Sequence, residues 1–249
     1  MMSVISPGTL YVCGTPIGNL EDITIRALNV FREVDLIAAE DTRRTRKLLS
    51  HYDISTRTIS YHEHNEFSRA SQLITMIEEG KSIALVTDAG MPGISDPGAH
   101  LVDSALSNDL KVVSIPGPSA VTSALSVSGF SADEFTFVGF LPRKGKRRRE
   151  ALEDLASETR TVVIYESPYR LSRTLSDLLS VLGGSRKVVV ARELTKLHEE
   201  VVKGTLEEVS ERFSVRTAKG EIVILVGEKD KEKGHQESKD DAPVSLVMT

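Results

Sequence analysis

The chain has 249 residues, 40% hydrophobic and 27% charged, ordinary globular usage that excludes a collagen-like, wholly disordered or membrane-spanning protein. Its 31 bases and 36 acids leave a net charge of −5, so no polycation coats a nucleic acid here and any such partner must be met by a local patch. One cysteine, Cys13, and six scattered histidines exclude a disulfide scaffold and a zinc-type ligand cluster.

The N-terminal stretch MMSVISPGTLYVCG has neither a basic leader nor a long enough apolar run for a secretory signal, and the cytoplasm is the expected compartment, with no membrane contact. Short Val-, Ile- and Leu-rich runs then alternate with amphipathic stretches, the grammar of βα units around a parallel sheet. Strands are predicted at Thr9–Cys13, Val34–Ala39, Arg57–Tyr61, Ser82–Val86 and Lys111–Ile115. Helices are predicted from Ile23 to Phe31 after Asp22, Arg43 to Leu49 after Thr42, Ala70 to Ile77 after Ser68, and Pro118 to Val127 ended by Gly129. Five such units predict a doubly wound first domain over residues 1–130.

The pattern restarts with FTFVGF at Phe135, followed by a helix Arg147–Ala156, the strand TVVIYE, a helix Leu171–Leu182 stopped by Gly183 and Gly184, the strand KVVVARE, and a final strand in GEIVILVG. A turn or hairpin is expected around Lys203, Gly204 and Thr205. The smaller second domain, 131–228, is therefore expected to carry a mixed sheet. From Glu228 to Asp241 there are six acids, four bases and no apolar residue, so 229–249 is read as a flexible charged tail.

Ligands of open α/β sheets sit at the carboxyl ends of the strands, which directs attention to the post-strand loops. The first, Gly14-Thr15-Pro16-Ile17-Gly18-Asn19, is rich in Gly and Pro and offers close backbone approach, but it lacks the third glycine of a dinucleotide fingerprint. The second holds Glu40 and Asp41, either of them placed to hold a ribose hydroxyl pair, with Asp41 or Thr42 alternatively capping a helix, and then Arg43, Arg44, Arg46 and Lys47, suited to phosphates or to a solvated helix face. His62 and His64 would share a strand face, yet no third metal ligand is visible, and no metal site is expected.

The fourth loop, Asp88 to Gly98, packs three glycines, two prolines and two carboxylates into eleven residues, which describes a stiff corner with acids beside a ligand. Asp96 serves equally as the cap of a helix starting near Pro97. The fifth, Pro116 to Ala120, aims a helix start at the same crevice. Further on, Arg143, Lys144, Lys146, Arg147, Arg148 and Arg149 place six bases in seven residues, a density that points to a polyanion. Six contacts to single-stranded RNA would give a salt slope of about −4.

The blocks GTPIGNL, AEDTRRT, SYHEHNE, TDAGMPGISDPG, PGPSA, GFLPRK, YESPYR and ARELTKLHEE, in this order from about Leu10 to Gly227, resemble the RsmI-type small-subunit ribosomal RNA methyltransferases of the tetrapyrrole methylase superfamily. The resemblance implies two α/β domains with a cleft between them. It also implies S-adenosylmethionine as methyl donor, a homodimer, and 2'-O-methylation of a cytidine in 16S rRNA at the decoding centre of the small ribosomal subunit. Carried onto this chain, it assigns donor binding to Gly14, Thr15, Pro16, Gly18, Asn19, Asp88, Ala89, Gly90, Met91, Gly93, Ser119 and Ala120, largely through backbone. Met91 departs from the threonine common in the family, and Tyr169 from its histidine.

Methyl transfer to a ribose oxygen asks mainly for alignment, with a base to relieve the hydroxyl of its proton. Asp88 and Asp96 are the first candidates for that base, then Glu40 and Asp41. Asp88 alternatively binds the donor's ammonium. Arg43, Arg44, Arg46 and the 143–149 run are expected to meet RNA phosphates. Two other readings compete: a methylase of tetrapyrroles or another small metabolite, and a non-catalytic RNA-binding protein of ribosome assembly.

Overall fold

The computed structural model describes residues 5–215 and 218–229, so the expected tail lies outside it apart from Lys229. Strands β1 (Thr9–Cys13), β2 (Leu36–Ala39), β3 (Thr58–Ser60), β4 (Ile83–Val86) and β5 (Lys111–Ile115) form one all-parallel sheet in the order β3-β2-β4-β1-β5. Every residue of β1, β2 and β4 is buried, as central parallel strands covered on both faces must be. The alternation of the strands sorts the two faces. Tyr11, Cys13, Ile37 and Ala39 pack under α1 (Ile25–Glu33) and α2 (Thr42–His51). Leu10, Val12, Leu36 and Ala38 pack under α3 (Glu66–Glu78) and α4 (Ala99–Ser107).

The strands stand where the sequence puts them, but several helix starts move. Helix α1 begins after Thr24, whose hydroxyl accepts from the Ala27 N–H (3.1 Å), because Asp22 closes a separate 3-10 turn capped by Asn19. Helix α2 is capped by Asp41, not Thr42, and α3 begins after Asn65, well ahead of Ser68. Helix α4 starts at Ala99 behind Gly98, so Asp96 is not its cap. Gly98, at φ 147°, is needed there: a Cβ on it would lie 2.9 Å from the Gly93 nitrogen.

The second sheet is mixed, β6 (Phe135–Phe140), β7 (Thr161–Glu166), β10 (Ile222–Val226), β8 (Lys187–Arg192) and β9 (Glu200–Thr205), in that spatial order. Only β6 and β7 run parallel. The turn expected at 203–205 is instead the end of β9, and Thr205 forms a reciprocal capping box with Glu208 that starts α8 (Leu206–Ser214). Helices α6 (Lys146–Ser157), α7 (Leu171–Leu182) and α8 cover one face of this sheet. Helix α5 (Ala120–Ser128), ended by Gly129 in the left-handed region (φ 66°), covers the other through Val121, Ala124 and Leu125. The last helix of the first half thus packs on the second sheet, and the cleft forms where the carboxyl ends of β1, β4 and β5 meet it.

Candidate active site

Two backbone bonds join the corners after β1 and β4. The Thr15 N–H donates to the Gly90 carbonyl (2.9 Å) and the Gly90 N–H to that of Thr15 (3.0 Å), while the Thr15 hydroxyl donates to the Thr87 carbonyl (3.0 Å). The Gly14 N–H donates to Ile115 O (3.1 Å). The N–H groups of Gly14 and Thr15 in the first loop and of Gly90 in the fourth are thus used in joining loops and are not free for a ligand. Gly18 and Asn19 are exposed and face the other half of the chain, where the Asn19 N–H donates to the Thr195 hydroxyl (3.1 Å).

Beyond these corners lies a cavity of about 340 Å³. The first half contributes Ile17, Ala89, Gly90, Met91, Ile94, Ser95, Asp96, Ser119 and Ala120 to its lining; the second contributes Phe140, Tyr165 to Pro168, Ala191, Leu194 and Gly220 to Val223. Of the residues singled out from sequence, Ala89, Gly90, Met91, Asp96, Ser119 and Ala120 therefore reach the wall. Gly14, Thr15, Pro16, Gly18, Asn19, Asp88 and Gly93 are not part of it. None of the second-half residues was assigned to the site from the sequence, although Phe140, Tyr165 to Pro168, Ala191 and Leu194 lie in the blocks GFLPRK, YESPYR and ARELTKLHEE.

The lining holds three carboxylates, Asp96, Glu166 and Glu221, and no Lys, Arg or His. Glu166 is buried and saturated: it accepts from Thr174 Oγ1, the Ser167 N–H and Arg170 Nη2, each at 2.6 Å. Glu221 pairs with Lys196 Nζ at 3.0 Å. Asp96 differs, because burial and then the nearby charge of Glu40 push its carboxyl up to about 6.

Glu40 and Asp88 stand behind Asp96. Glu40 Oε2 accepts from the Thr87 hydroxyl (2.6 Å) and the Asp88 N–H (3.2 Å), and Asp88 accepts from the Asp41 N–H (3.1 Å) and pairs with Arg44 (3.2 Å). Burial, then Glu40, raises the Asp88 carboxyl. Asp41 serves as the helix cap: its carboxylate accepts from the Arg43 N–H at 2.8 Å and from the Arg43 guanidinium at 2.8 Å, which holds it well below the usual carboxylate range.

The basic run needs one correction. Arg143, Lys144, Lys146, Arg147 and Arg149 are exposed, but Arg148 is only 4% exposed. Its guanidinium is committed to Asp177 (2.8 Å through Nε), Thr174 Oγ1 (3.0 Å) and the Pro142 carbonyl (2.9 Å), so it is structural and does not face a polyanion. Arg43, Arg44 and Arg46 lie on the exposed side of α2.

Residues 9–210 match the family described as Tetrapyrrole (Corrin/Porphyrin) Methylases. The ribosomal RNA small subunit methyltransferase I of Halalkalibacterium halodurans is 52% identical over 219 residues, covering 88% of this chain and 75% of that protein. The protein of the same name from Thermotoga maritima is 50% identical over 223 residues, 90% of this chain and 100% of its own. Among solved structures, a cobalt precorrin-4 methyltransferase superposes with a TM-score of 0.67 at 18% identity, covering 88% of this chain and 95% of that one. The uroporphyrin-III C-methyl transferase of Thermus thermophilus, complexed with S-adenosyl homocysteine, gives 0.62 at 19% identity, covering 87% and 96%. The fold and a match running through both sheets agree with the relatives: the chain belongs to the tetrapyrrole methylase family, and its curated relatives there are small-subunit ribosomal RNA methyltransferases.

Proposed function

We propose that this protein transfers a methyl group from S-adenosylmethionine to the 2'-oxygen of a cytidine in the decoding centre of 16S rRNA, working in the cytoplasm as a homodimer. The observation that carries the reading is the cavity lining, apolar with three carboxylates and no cationic side chain, beside an exposed turn with five bases. Such a lining suits a flat, positively charged, amphiphilic donor. The names of the relatives supply the acceptor.

When bound, the donor supplies a methyl on a cationic sulfur, open to in-line attack. Ala89, Gly90 and Met91 would wall it on one side. Ser119, whose hydroxyl makes no bond to its own helix, and the α5 N–H groups from Ala120 would receive its carboxylate. Gly14, Thr15, Pro16 and Gly93 act from behind the wall by holding the corners, and Gly18 and Asn19 by bracing the two halves. Asp96, which lines the cavity, would take the hydroxyl proton. Burial, and after it the charge of Glu40, holds its carboxyl up at about 6, and Asp41 positions α2. Arg43, Arg44, Arg46, Arg143, Lys144, Lys146, Arg147 and Arg149 would meet phosphates, leaving base and sugar to the cleft. Residues 1–130 and 131–228 form the two α/β domains of this reading.

Labelled-methyl transfer to isolated small ribosomal subunits, followed by mass spectrometry of the rRNA, tests it. A methyl on one cytidine ribose is expected; transfer only to tetrapyrrole precursors, or no transfer, overturns it.

A further inference from the structure

We propose that Tyr169 is the surface on which the base of the acceptor nucleotide stacks, and that the phosphate-facing turn 143–149 is fixed to it as one rigid recognition unit. The inference rests on the RNA reading above and adds to it the element that grips the base. Tyr169 is 93% exposed, an aromatic ring held almost entirely in water. It is not on a wandering loop. The turn is closed by the Arg170 N–H donating to Ser167 O (2.9 Å), and on either side Glu166 and Arg170 are locked by their 2.6 Å ion pair. Its preceding neighbours, Ser167 and Pro168, both line the cavity, so Tyr169 follows directly on the cavity wall along the chain.

A second exposed aromatic belongs to the cavity wall itself. Phe140 is 54% exposed and lines the cavity, with its ring centroid 5.7 Å from that of Tyr165. It follows an irregularity in β6 between Phe137 and Gly139, where Gly139 has φ 63°, a feature that re-aims the residues after it. One exposed aromatic ring next to the cavity wall suits a single unstacked base. It is too small for a long strand, and the chain, with 5% aromatics, has no extended platform to offer.

The phosphates enter through the adjoining turn. Arg143, Lys144, Lys146, Arg147 and Arg149 follow Phe140 and are exposed. Buried Arg148 connects this turn to the tyrosine: it donates to Thr174 Oγ1, Thr174 donates to Glu166 Oε2, and Glu166 pairs with Arg170, which in turn donates to Leu141 O (3.2 Å). Base grip and phosphate grip are therefore parts of one hydrogen-bonded body, with their separation fixed before RNA arrives. Such preorganisation lowers the ordering cost of binding a splayed-out nucleotide.

The test uses the full chain. With small ribosomal subunits as acceptor, Tyr169→Ala should raise KM about tenfold or more, the effect of losing one base stack, and leave the dissociation constant for S-adenosylmethionine unchanged. Tyr169→Phe, which keeps the stacking face, should restore KM. The chain contains no tryptophan, so Tyr169→Trp gives a single tryptophan whose emission, excited selectively over that of the four remaining tyrosines, is expected to be quenched at concentrations of protein-free small-subunit rRNA that saturate the protein in filter binding. A wild-type KM in Tyr169→Ala, or unquenched emission with rRNA bound, overturns the proposal. If the wild-type protein transfers no methyl group, the proposed function fails, and the emission of Tyr169→Trp still decides the stacking.

Discussion

Gly14 and Gly117 pack backbone against backbone at the carboxyl ends of adjacent strands: a Cβ on Gly14 would lie 2.7 Å from the Gly117 Cα, and one on Gly117 2.8 Å from the Gly14 Cα. Neither residue is in the cavity lining, yet their contact sets how closely the loop after β1 approaches the one that starts α5. Gly117→Ala should force these corners apart, since the atoms met are main chain and cannot rotate away. We expect a loss of about 1–3 kcal/mol of stability and a weakening of donor affinity of tenfold or more, read by calorimetry. Wild-type affinity for S-adenosylmethionine in this variant would show that the corner does not shape the site.

Asp96 gives a prediction in which activity and stability move in opposite directions. Its carboxyl is pushed up to about 6, so folding disfavours the charged form. That cost is present above about pH 6 and fades as pH falls toward the unfolded value near 4. Asp96→Asn should therefore be more stable than wild type at pH 8, by about 1–2 kcal/mol after allowance for partial solvation, and equal to it near pH 4. Methyl transfer should drop by about a hundredfold, and the wild-type rate should rise with pH around 6. A variant that keeps full activity removes Asp96 as proton acceptor.

Arg148 and its neighbours should separate cleanly. Arg148→Ala empties a buried guanidinium site shared by Asp177, Thr174 and Pro142, and should cost about 2–3 kcal/mol, or roughly 5–10 °C in melting temperature. Replacing Arg143, Arg147 and Arg149 together by Ala should leave the melting temperature almost unchanged and flatten the salt dependence of rRNA binding by about 2 in log–log slope. An unaltered slope would take the turn out of the RNA interface.

Cys13 lies fully buried on β1, and burial pushes its thiol up. A thiol reagent at pH 8 should leave it untouched in the folded protein and modify one equivalent in denaturant. Rapid modification under native conditions would mean that the first sheet opens readily.

Much of this was legible in the chain. Thr9–Cys13, Lys111–Ile115 and Leu171–Leu182 fall on their predicted limits, because each is a run of one periodicity bounded by Gly, Pro or a polar break. β9 and α8 were missed although Thr205 and Glu208 carry the spacing of a capping box; the polar edge strand before them, EVVKGT, has too little apolar alternation to stand out. The burial of Arg148 also had a trace in the sequence: it shares a helical stripe with Leu152 and Leu155, which the density of charge around it concealed.

What the sequence determined by itself was local and repetitive: five βα units, a mixed second sheet, stiff corners after the strands, and a basic turn on an acidic chain. What only the tertiary structure decided was which groups in those corners remain available. The N–H groups of Thr15 and Gly90 each donate to the other residue's carbonyl across 75 residues, and Arg148 finds Asp177 across 29. A buried polar group takes the nearest partner in space, and that partner is set by how the sheets meet, not by its neighbours along the chain.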